Sequence, residues 1–273
     1  MNEKICFYSR PFPRVKSYYD MIDLAAEYGL NAVEGYGFME FEKPDLENAK
    51  RIREYADKKN VSFPCFSVAV KFARENTEIL KRYADVAKIL GSPYLHHTIV
   101  GECTNPSEVL PHKEQFFQEG IEAVREIYDY AQSIGVKAIY EEQGYIFNGI
   151  EGFGRFIKEV GRDVGVVLDT GNIYESTDGL LEFIEKFREH IVHVHIKDIK
   201  LCDRNDGNDG LATLSGKYMF EANLGEGEAK VKEGIALLKK YGYNGFYALE
   251  IGATEDDSSL MTDSINLTKS WLE

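Results

Sequence analysis

Short β-rich segments recur along the whole chain, and each is followed by a segment in which apolar residues recur at helical spacing. This alternation is typical of parallel strands joined by crossover helices. Eight strands are predicted, at Ile5–Tyr8, Ala32–Glu34, Ser62–Val68, Tyr94–Thr98, Lys137–Glu141, Gly165–Asp169, Ile191–Lys197 and Phe246–Glu250. A (β/α)₈ barrel takes about 250 residues, so eight such units in 273 residues predict an α/β fold with a single (β/α)₈ TIM barrel domain over residues 1–273.

The rival architecture is an open, doubly wound sheet, which usually carries a glycine-rich phosphate loop after its first strand. Here the first strand continues into residues 9–13, Ser-Arg-Pro-Phe-Pro, without that motif. The barrel is therefore favoured. The one long irregular segment, Cys202–Gly227, is predicted to be a mobile acidic loop of the kind that serves as a lid or binding loop.

Charge and composition narrow the class of partner. The chain has 46 acidic and 32 basic side chains, and its net charge of −14 repels a phosphate backbone, so nucleic acid is not an expected partner. Its apolar runs are far shorter than the ~18 residues of a membrane-spanning helix. No signal-peptide pattern follows Met1, so we expect a cytoplasmic protein with no membrane association.

Polar residues end four consecutive predicted strands, where the strand ends of a barrel converge on one site. They are Glu141, Asp169, His195 and Glu250. A carboxylate that follows a buried apolar strand is costly unless it is paired or bound to a cation. One imidazole with three carboxylates suits Mn²⁺, Mg²⁺ or Co²⁺, and also Zn²⁺. The sequence therefore predicts one divalent metal ion, with Mn²⁺ as the first choice.

Strand alternation separates neighbouring candidates. Glu141 and Glu142 point in opposite directions, so only one can enter the barrel; Glu141 is preferred and Glu142 stays an alternative. His193 shares a face with His195 and is predicted to lie one layer deeper, in a structural role.

Other polar residues are candidates for orienting substrate hydroxyl groups. His97 is preferred to its neighbour His96 for the mouth of the barrel. Asn172, Lys197 and Glu34 complete the predicted substrate-binding set. Apolar walls near the mouth are predicted from aromatic residues close to strand ends, namely Phe7, Phe12, Tyr36, Phe38 and Phe66.

Five segments resemble the xylose isomerase-like barrel superfamily: Tyr140–Gly144, Leu168–Asn172, His193–Asp198, Gly225–Glu228 and Ala248–Ile251. The resemblance spans essentially the whole chain. In the ketose epimerases of that superfamily a Glu, an Asp, a His and a Glu hold the metal, and by resemblance these match Glu141, Asp169, His195 and Glu250. Asn172 stands where those enzymes often have a substrate-contacting His, which leaves the particular sugar open.

The resemblance implies a metal-dependent sugar isomerase or epimerase. A cation would polarise an α-hydroxy carbonyl group and stabilise an enediolate, while one of the two carboxylates Glu141 and Glu250 takes the proton and the other returns it. Returning it to the opposite face gives epimerisation, and returning it to the neighbouring carbon gives isomerisation. Loss of a β-hydroxyl gives dehydration, as in inosose dehydratases, and this lyase reaction is the first alternative.

A noncatalytic sugar-binding subunit is a second alternative. Endonuclease IV-like cleavage of DNA is disfavoured, because that family uses three zinc ions and more histidines, whereas this chain has six histidines and is strongly acidic. The expected partner is a small sugar or cyclitol. An unphosphorylated one is slightly favoured, because the acidic long loop would repel a phosphate. The oligomeric state is left open, with a homo-oligomer as one expectation because dimers and tetramers are common in the superfamily.

Overall fold

The computed structural model describes residues 4–8, 15–101, 105–207, 209–251 and 258–273. In chain order its strands are β1 (Ile5–Tyr8), β2 (Val33–Tyr36), β3 (Phe66–Val68), β4 (Tyr94–His97), β5 (Lys137–Glu141), β6 (Gly165–Asp169), β7 (Ile191–Ile196), β8 (Asp198–Cys202), β9 (Leu211–Ala212), β10 (Tyr218–Ala222) and β11 (Tyr247–Leu249). Strands β1 to β7 and β11 are parallel to their neighbours and form a closed barrel, in which β11 pairs with both β7 and β1. The predicted (β/α)₈ barrel is confirmed.

Helices surround this barrel. The α-helices are α1 (Tyr18–Glu27), α2 (Leu46–Lys59), α3 (Thr77–Leu90), α4 (Lys113–Ser133), α5 (Gly149–Val160), α6 (Leu180–Phe187), α7 (Val231–Lys240) and α8 (Ser258–Leu272). Short 3₁₀ helices lie at Met39–Phe41, Arg74–Asn76, Pro106–Glu108, Leu110–His112 and Asn172–Glu175. Within the described residues, none of the helices combines the length and apolar character that a membrane crossing requires.

Local chemistry sets several boundaries. Asp45 caps α2, because its Oδ1 accepts hydrogen bonds from the backbone N–H groups of Glu47 and Asn48, both at 2.9 Å. The third strand is shorter than predicted and begins at Phe66. Pro64 has no backbone N–H to donate to a strand ladder, and Ser62 makes only an isolated bridge with Ala32.

Alternate residues of the barrel strands point inward. Buried Cys6, Ala32 and Ala248 pack together with Tyr8 in one half of the lumen. Buried Cys65, Ile139 and Val167 pack together in the other half. The outward-facing residues belong to the main core between the barrel and the helices. The apolar lumen therefore forms a floor, and the inward-facing polar residues lie one layer nearer the mouth.

The prediction of an irregular loop at Cys202–Gly227 is wrong for much of that segment. Antiparallel strands β8, β10 and β9 form a small sheet in that order, and Met219 of β10 is buried. Pairing between β8 and β10 satisfies the backbone groups that a long loop would leave to water. This sheet lies next to the end of β7, at the mouth of the barrel.

Candidate metal centre and active site

The four predicted ligands converge at the C-terminal ends of the barrel strands. His195 Nδ1 lies 3.3 Å from Glu250 Oε2 and 3.7 Å from Glu141 Oε2. Donor atoms of Glu141, Asp169 and His195 all lie within 4.8 Å of one another, and all three residues are buried. Register explains part of this convergence, because Asp169 and His195 are paired neighbours on β6 and β7.

The donor atoms fit a divalent cation. Asp169 Oδ2 and His195 Nδ1 are buried and make no hydrogen bond to the described residues. Their nearest charged neighbours are Lys197 Nζ, 3.2 Å from Oδ2, and Glu250 Oε2, 3.3 Å from Nδ1, and a bound cation would give both atoms a direct partner. Three carboxylates and one imidazole form the oxygen-rich donor set that Mn²⁺ and Mg²⁺ accept, and Zn²⁺ also binds such ligands.

Backbone and side-chain contacts fix the orientation of Asp169. Its Oδ1 accepts hydrogen bonds from the backbone N–H groups of Gly171, at 2.7 Å, and Asn172, at 2.8 Å. Its own N–H donates to Glu142 Oε1 at 2.9 Å. With Oδ1 held in this way, Oδ2 remains for a cation. Glu142 lies behind Asp169, so it is Glu141 that reaches the mouth.

Glu34 orients His195 from below. Its Oε1 accepts hydrogen bonds from His195 Nε2, at 3.0 Å, and Ser67 Oγ, at 2.6 Å, while Oε2 accepts one from His193 Nε2 at 2.6 Å. Donation from Nε2 leaves the Nδ1 lone pair of a neutral His195 for a cation, a common arrangement around metal-binding histidines. Glu34 was predicted to bind substrate, but it is fully buried beneath the site and contacts these three residues instead.

Glu34, His193 and His195 form a second group of potential metal ligands. Their closest atoms already make direct hydrogen bonds, so protons rather than a cation lie between them. His193 is one layer below His195, as predicted, and has this structural partner.

Burial and charge act in opposite directions on the buried carboxyl groups. Burial, together with nearby Asp169 and Glu250, raises the pKa of Glu141 to about 8. Burial would also raise the pKa of Glu34, but electrostatic attraction to His195 and His193 and the hydrogen bonds from both rings hold it well below the usual value. The carboxylates at the mouth therefore need positive charge nearby, whereas Glu34 is already stabilised by the two histidines.

Lys197 and Asn172 connect the predicted ligands, and both were predicted to bind substrate. Lys197 Nζ lies 2.9 Å from Glu250 Oε1 and 3.2 Å from Asp169 Oδ2, and it donates to Asn172 Oδ1 at 3.0 Å. Asn172 Nδ2 in turn donates to Glu141 Oε1. The structure thus places Lys197 and Asn172 beside the ligand group.

The preference for His97 over His96 at the mouth is wrong. His97 Nε2 lies 3.1 Å from the Tyr140 hydroxyl, on the outer face of the barrel. His96 points inward, with Nδ1 at 3.0 Å from Ser67 Oγ and Nε2 at 3.2 Å from Glu141 Oε2. The register pairs His96 with inward-facing Ser67. Burial and the charge of His195 lower the pKa of His96 to about 3, so the ring is neutral.

An open cavity of about 440 Å³ lies above His96, Glu141 and Glu250. Of the predicted aromatic walls, Tyr36 and Phe38 line it. Phe66 instead packs in the core against Phe41 and Tyr83, because it faces outward from β3. The side chain of Phe7 and the whole of Phe12 lie outside the described residues. Lining residues that the sequence reasoning missed are Tyr8, Val68, Ala69, His96, Thr98 and Gln143.

Comparison with known proteins identifies the family. Residues 22–271 match the xylose isomerase-like TIM barrel family. The chain belongs to this family. The resemblance expected from the sequence segments is therefore confirmed.

The chain is similar to sugar-modifying enzymes. Inosose dehydratase from Glaesserella parasuis is 27% identical over 214 residues, which make up 74% of this chain and 70% of that protein. The structure of D-psicose 3-epimerase with D-tagatose from Clostridium cellulolyticum H10 matches with a TM-score of 0.74 and 16% identity, covering 99% of each chain. That of 3-keto-D-glucoside 4-epimerase from E. coli has a TM-score of 0.76 and 16% identity, covering 98% of this chain and 100% of that one. At these identities the structural likeness shows a shared fold.

Proposed function

We propose that this family member is a sugar-modifying enzyme that moves a proton at the carbon next to the carbonyl of a ketose or related α-hydroxy ketone. One divalent cation, with Mn²⁺ as the first choice, would be held by Glu141, Asp169, His195 and Glu250. The observation that carries the proposal is the convergence of these buried donor atoms at an open cavity. The names of the similar proteins support the sugar as substrate class.

A bound cation would act as a Lewis acid on the carbonyl and adjacent hydroxyl oxygens of the substrate. The protein's own carboxylates would move the proton. Glu141 and Glu250 both line the cavity but come from β5 and from the residue after β11. They can therefore approach a substrate carbon from different directions. One takes the proton and the other returns it to the opposite face, which gives epimerisation; return to the neighbouring carbon gives isomerisation.

Neighbouring side chains prepare these two carboxylates for different tasks. Glu141 contacts neutral His96 and the amide of Asn172, so a protonated Glu141 has an acceptor in His96 Nε2. Glu250 contacts the Lys197 ammonium group at 2.9 Å, which favours its ionised form. We therefore assign proton removal to Glu250 and proton return to Glu141.

Dehydration is the second candidate reaction, and one specific observation favours it. The similar protein with 27% identity is an inosose dehydratase. Proton removal next to a ketone is the first step of that reaction too. Lys197 beside Glu250 would supply a proton to a leaving hydroxyl group. The two candidates share their metal and first step and differ in the product.

The test follows deuterium exchange in D₂O by NMR. Metal-stripped protein is restored with Mn²⁺, Mg²⁺, Co²⁺ or Zn²⁺ and mixed with ketohexoses, ketopentoses or inososes. We expect metal-dependent exchange beside the carbonyl, abolished by Glu250→Gln and unaffected by the control Glu189→Gln, whose side chain is 82% exposed. An epimer, an aldose or an unsaturated product identifies the reaction. Absence of exchange from every substrate with every metal contradicts the proposal.

A further inference from the structure

A second open cavity, of about 580 Å³, adjoins the first. Gln143 and Glu250 line both cavities, so the two meet at the proposed catalytic group. Asn172 and Lys197 line the second cavity on the barrel side. The small sheet supplies the facing wall, through Leu211, Met219 and Phe220.

Specific contacts attach this facing wall to the barrel. The Tyr145 hydroxyl, between β5 and α5, donates to the backbone oxygen of Ala212 at 2.7 Å. The backbone N–H of Leu214 donates to the backbone oxygen of Glu175 at 2.8 Å. Asp198, at the start of β8, accepts hydrogen bonds from the backbone N–H groups of Gly225, at 2.9 Å, and Gly227, at 3.0 Å. The sheet is therefore held in place on both sides of the cavity.

The size of the cleft exceeds what one sugar ring requires. Binding pockets for small molecules usually have volumes of about 300–1,000 Å³, and each cavity falls within this range by itself. A reacting group beside Glu250 lies where the two meet. A monosaccharide that fills the first cavity would leave the second to water, whereas a substrate with two ring-sized parts fills both.

The two cavities offer different chemistry. Tyr8, Tyr36 and Phe38 give the first an aromatic wall suited to the apolar face of a sugar ring. In the second, apolar side chains of the sheet stand beside the carboxyl groups of Asp209 and Glu221. Ionised carboxylates accept hydrogen bonds from hydroxyl groups and repel anions.

The positive charge that lines the second cavity is already paired with carboxylates. Lys197 is the one cation among its described lining residues, and its ammonium group contacts Asp169 and Glu250. The cavity therefore lacks the available positive charge that a phosphorylated substituent would need. Its chemistry suits a neutral group that combines apolar surface with hydroxyl groups.

We infer that the substrate is a neutral glycoside, whose keto-sugar ring occupies the first cavity and whose glycosidic substituent, a second ring, occupies the second. This inference rests on the proposed function for the reacting ring. It adds that the group across the glycosidic bond is recognised by the small sheet and is not phosphorylated.

Binding and turnover are tested separately. Saturation-transfer NMR and calorimetry compare phenyl β-glucoside with methyl β-glucoside on the Mn²⁺-loaded protein; neither has a ketone, so binding does not depend on catalysis. Deuterium exchange then compares phenyl 3-keto-β-glucoside with free 3-keto-glucose. We expect the phenyl glucoside to bind at least about tenfold more tightly than the methyl glucoside, because its phenyl ring fills the second cavity and the methyl group does not. For the same reason, phenyl 3-keto-β-glucoside should exchange deuterium with a kcat/KM at least about tenfold higher than free 3-keto-glucose.

A matched pair of variants locates the effect. Leu211→Trp places a large ring in the second cavity and should remove most of the preference for the phenyl compounds. Leu214→Trp makes the same change on the same segment, but Leu214 is 40% exposed and lines neither cavity, so the preference should remain. Unfolding curves of both variants check that the fold is intact.

The outcomes separate the two ideas. Equal binding of the phenyl and methyl glucosides, or a preference that survives Leu211→Trp, overturns the glycoside inference whatever the turnover. Preferential phenyl binding that Leu211→Trp abolishes supports the inference, even if neither keto-sugar exchanges deuterium. A missing metal-dependent exchange counts against the proposed function. Tighter binding of glucose 6-phosphate than of phenyl β-glucoside would refute the exclusion of anions.

Discussion

Glu34→Gln should weaken metal binding although Glu34 is not one of the four proposed ligands. The carboxylate accepts three hydrogen bonds, from His195, His193 and Ser67, at 2.6 to 3.0 Å. A glutamine keeps one acceptor oxygen, presents an N–H₂ group in place of the other, and removes the negative charge that makes the His195 imidazole a stronger base and therefore a stronger ligand. Loss of such a partner typically reduces metal affinity about 10- to 100-fold. We expect a loss in this range for Mn²⁺, equal to about 1.4–2.7 kcal/mol.

The assay titrates metal-stripped protein with Mn²⁺ and follows free Mn²⁺ by electron paramagnetic resonance. The same variant should lose about 1.5–3 kcal/mol of unfolding free energy in urea, since a buried charge-assisted hydrogen bond is replaced by a weaker one. Glu175→Gln is the matched control. It also replaces a buried carboxyl group by an amide, but at a position that bonds to the Gly144 backbone and not to His195.

The two variants give a direct comparison. Glu175→Gln should keep a Kd for Mn²⁺ within about threefold of the wild type, because none of the four ligands depends on it for orientation. If Glu34→Gln folds and binds Mn²⁺ with unchanged affinity, Glu34 does not orient His195. Equal weakening in both variants would show that buried charge in general, and not the contact with His195, sets the affinity.

Three further substitutions test the assigned positions. His97→Gln should cost about 1 kcal/mol of unfolding free energy by weakening the contact with Tyr140, and it should leave the Kd for Mn²⁺ unchanged. His96→Ala should instead lower kcat/KM for deuterium exchange about tenfold or more. The reverse pattern would restore the original preference for His97. Phe66→Ala should cost about 3–5 kcal/mol in urea unfolding, as for other fully buried aromatic residues, with little change in KM; a large rise in KM at unchanged stability would make Phe66 part of the wall. Gly227→Ala should lower the free energy of unfolding in urea by about 1–3 kcal/mol, because its Cβ would lie 2.6 Å from the Ile199 backbone oxygen; an unchanged free energy of unfolding would show that this turn can shift.

The sequence predicted the barrel and the convergence of the four candidate ligands for one physical reason. Parallel strands of a barrel are apolar until they end, so a polar residue there stands out against its neighbours. Asp169 after Val166-Val167-Leu168 is the clearest example. The adjacent pair Glu141 and Glu142 was also resolved in favour of Glu141, which lines the cavity.

The face of an isolated histidine pair could not be fixed in the same way. The alternation of side chains along a strand predicts that His96 and His97 point in opposite directions, but it does not predict which of them points inward. Leu95 could have decided the question, because it shares a strand face with His97. An apolar residue on that face favours packing against the surrounding helices and therefore an outward direction for His97. The inward position of His96 follows from its register with Ser67, which only the assembled barrel reveals.

Long-range contacts set the remaining features. Glu34 is separated by 161 residues from His195, so its position beneath the proposed metal site depends on the closure of the barrel. The strands within Cys202–Gly227 are short and separated by turn-forming Asn, Asp and Gly residues. These strands are stabilised mainly by pairing, of β10 with β9 and above all of β10 with β8, and less by their own composition.

The central claim is that Glu141, Asp169, His195 and Glu250 hold one divalent metal ion. Its most direct test is the stoichiometry of Mn²⁺ bound to metal-stripped protein, measured for the wild type and for Asp169→Asn, which keeps the shape of the side chain but removes its charge. We predict one tightly bound Mn²⁺ per wild-type chain and its loss, or weakening by at least about tenfold, in the folded variant. A wild-type protein that binds no Mn²⁺, Mg²⁺, Co²⁺ or Zn²⁺, or a variant that binds Mn²⁺ as the wild type does, would contradict the account.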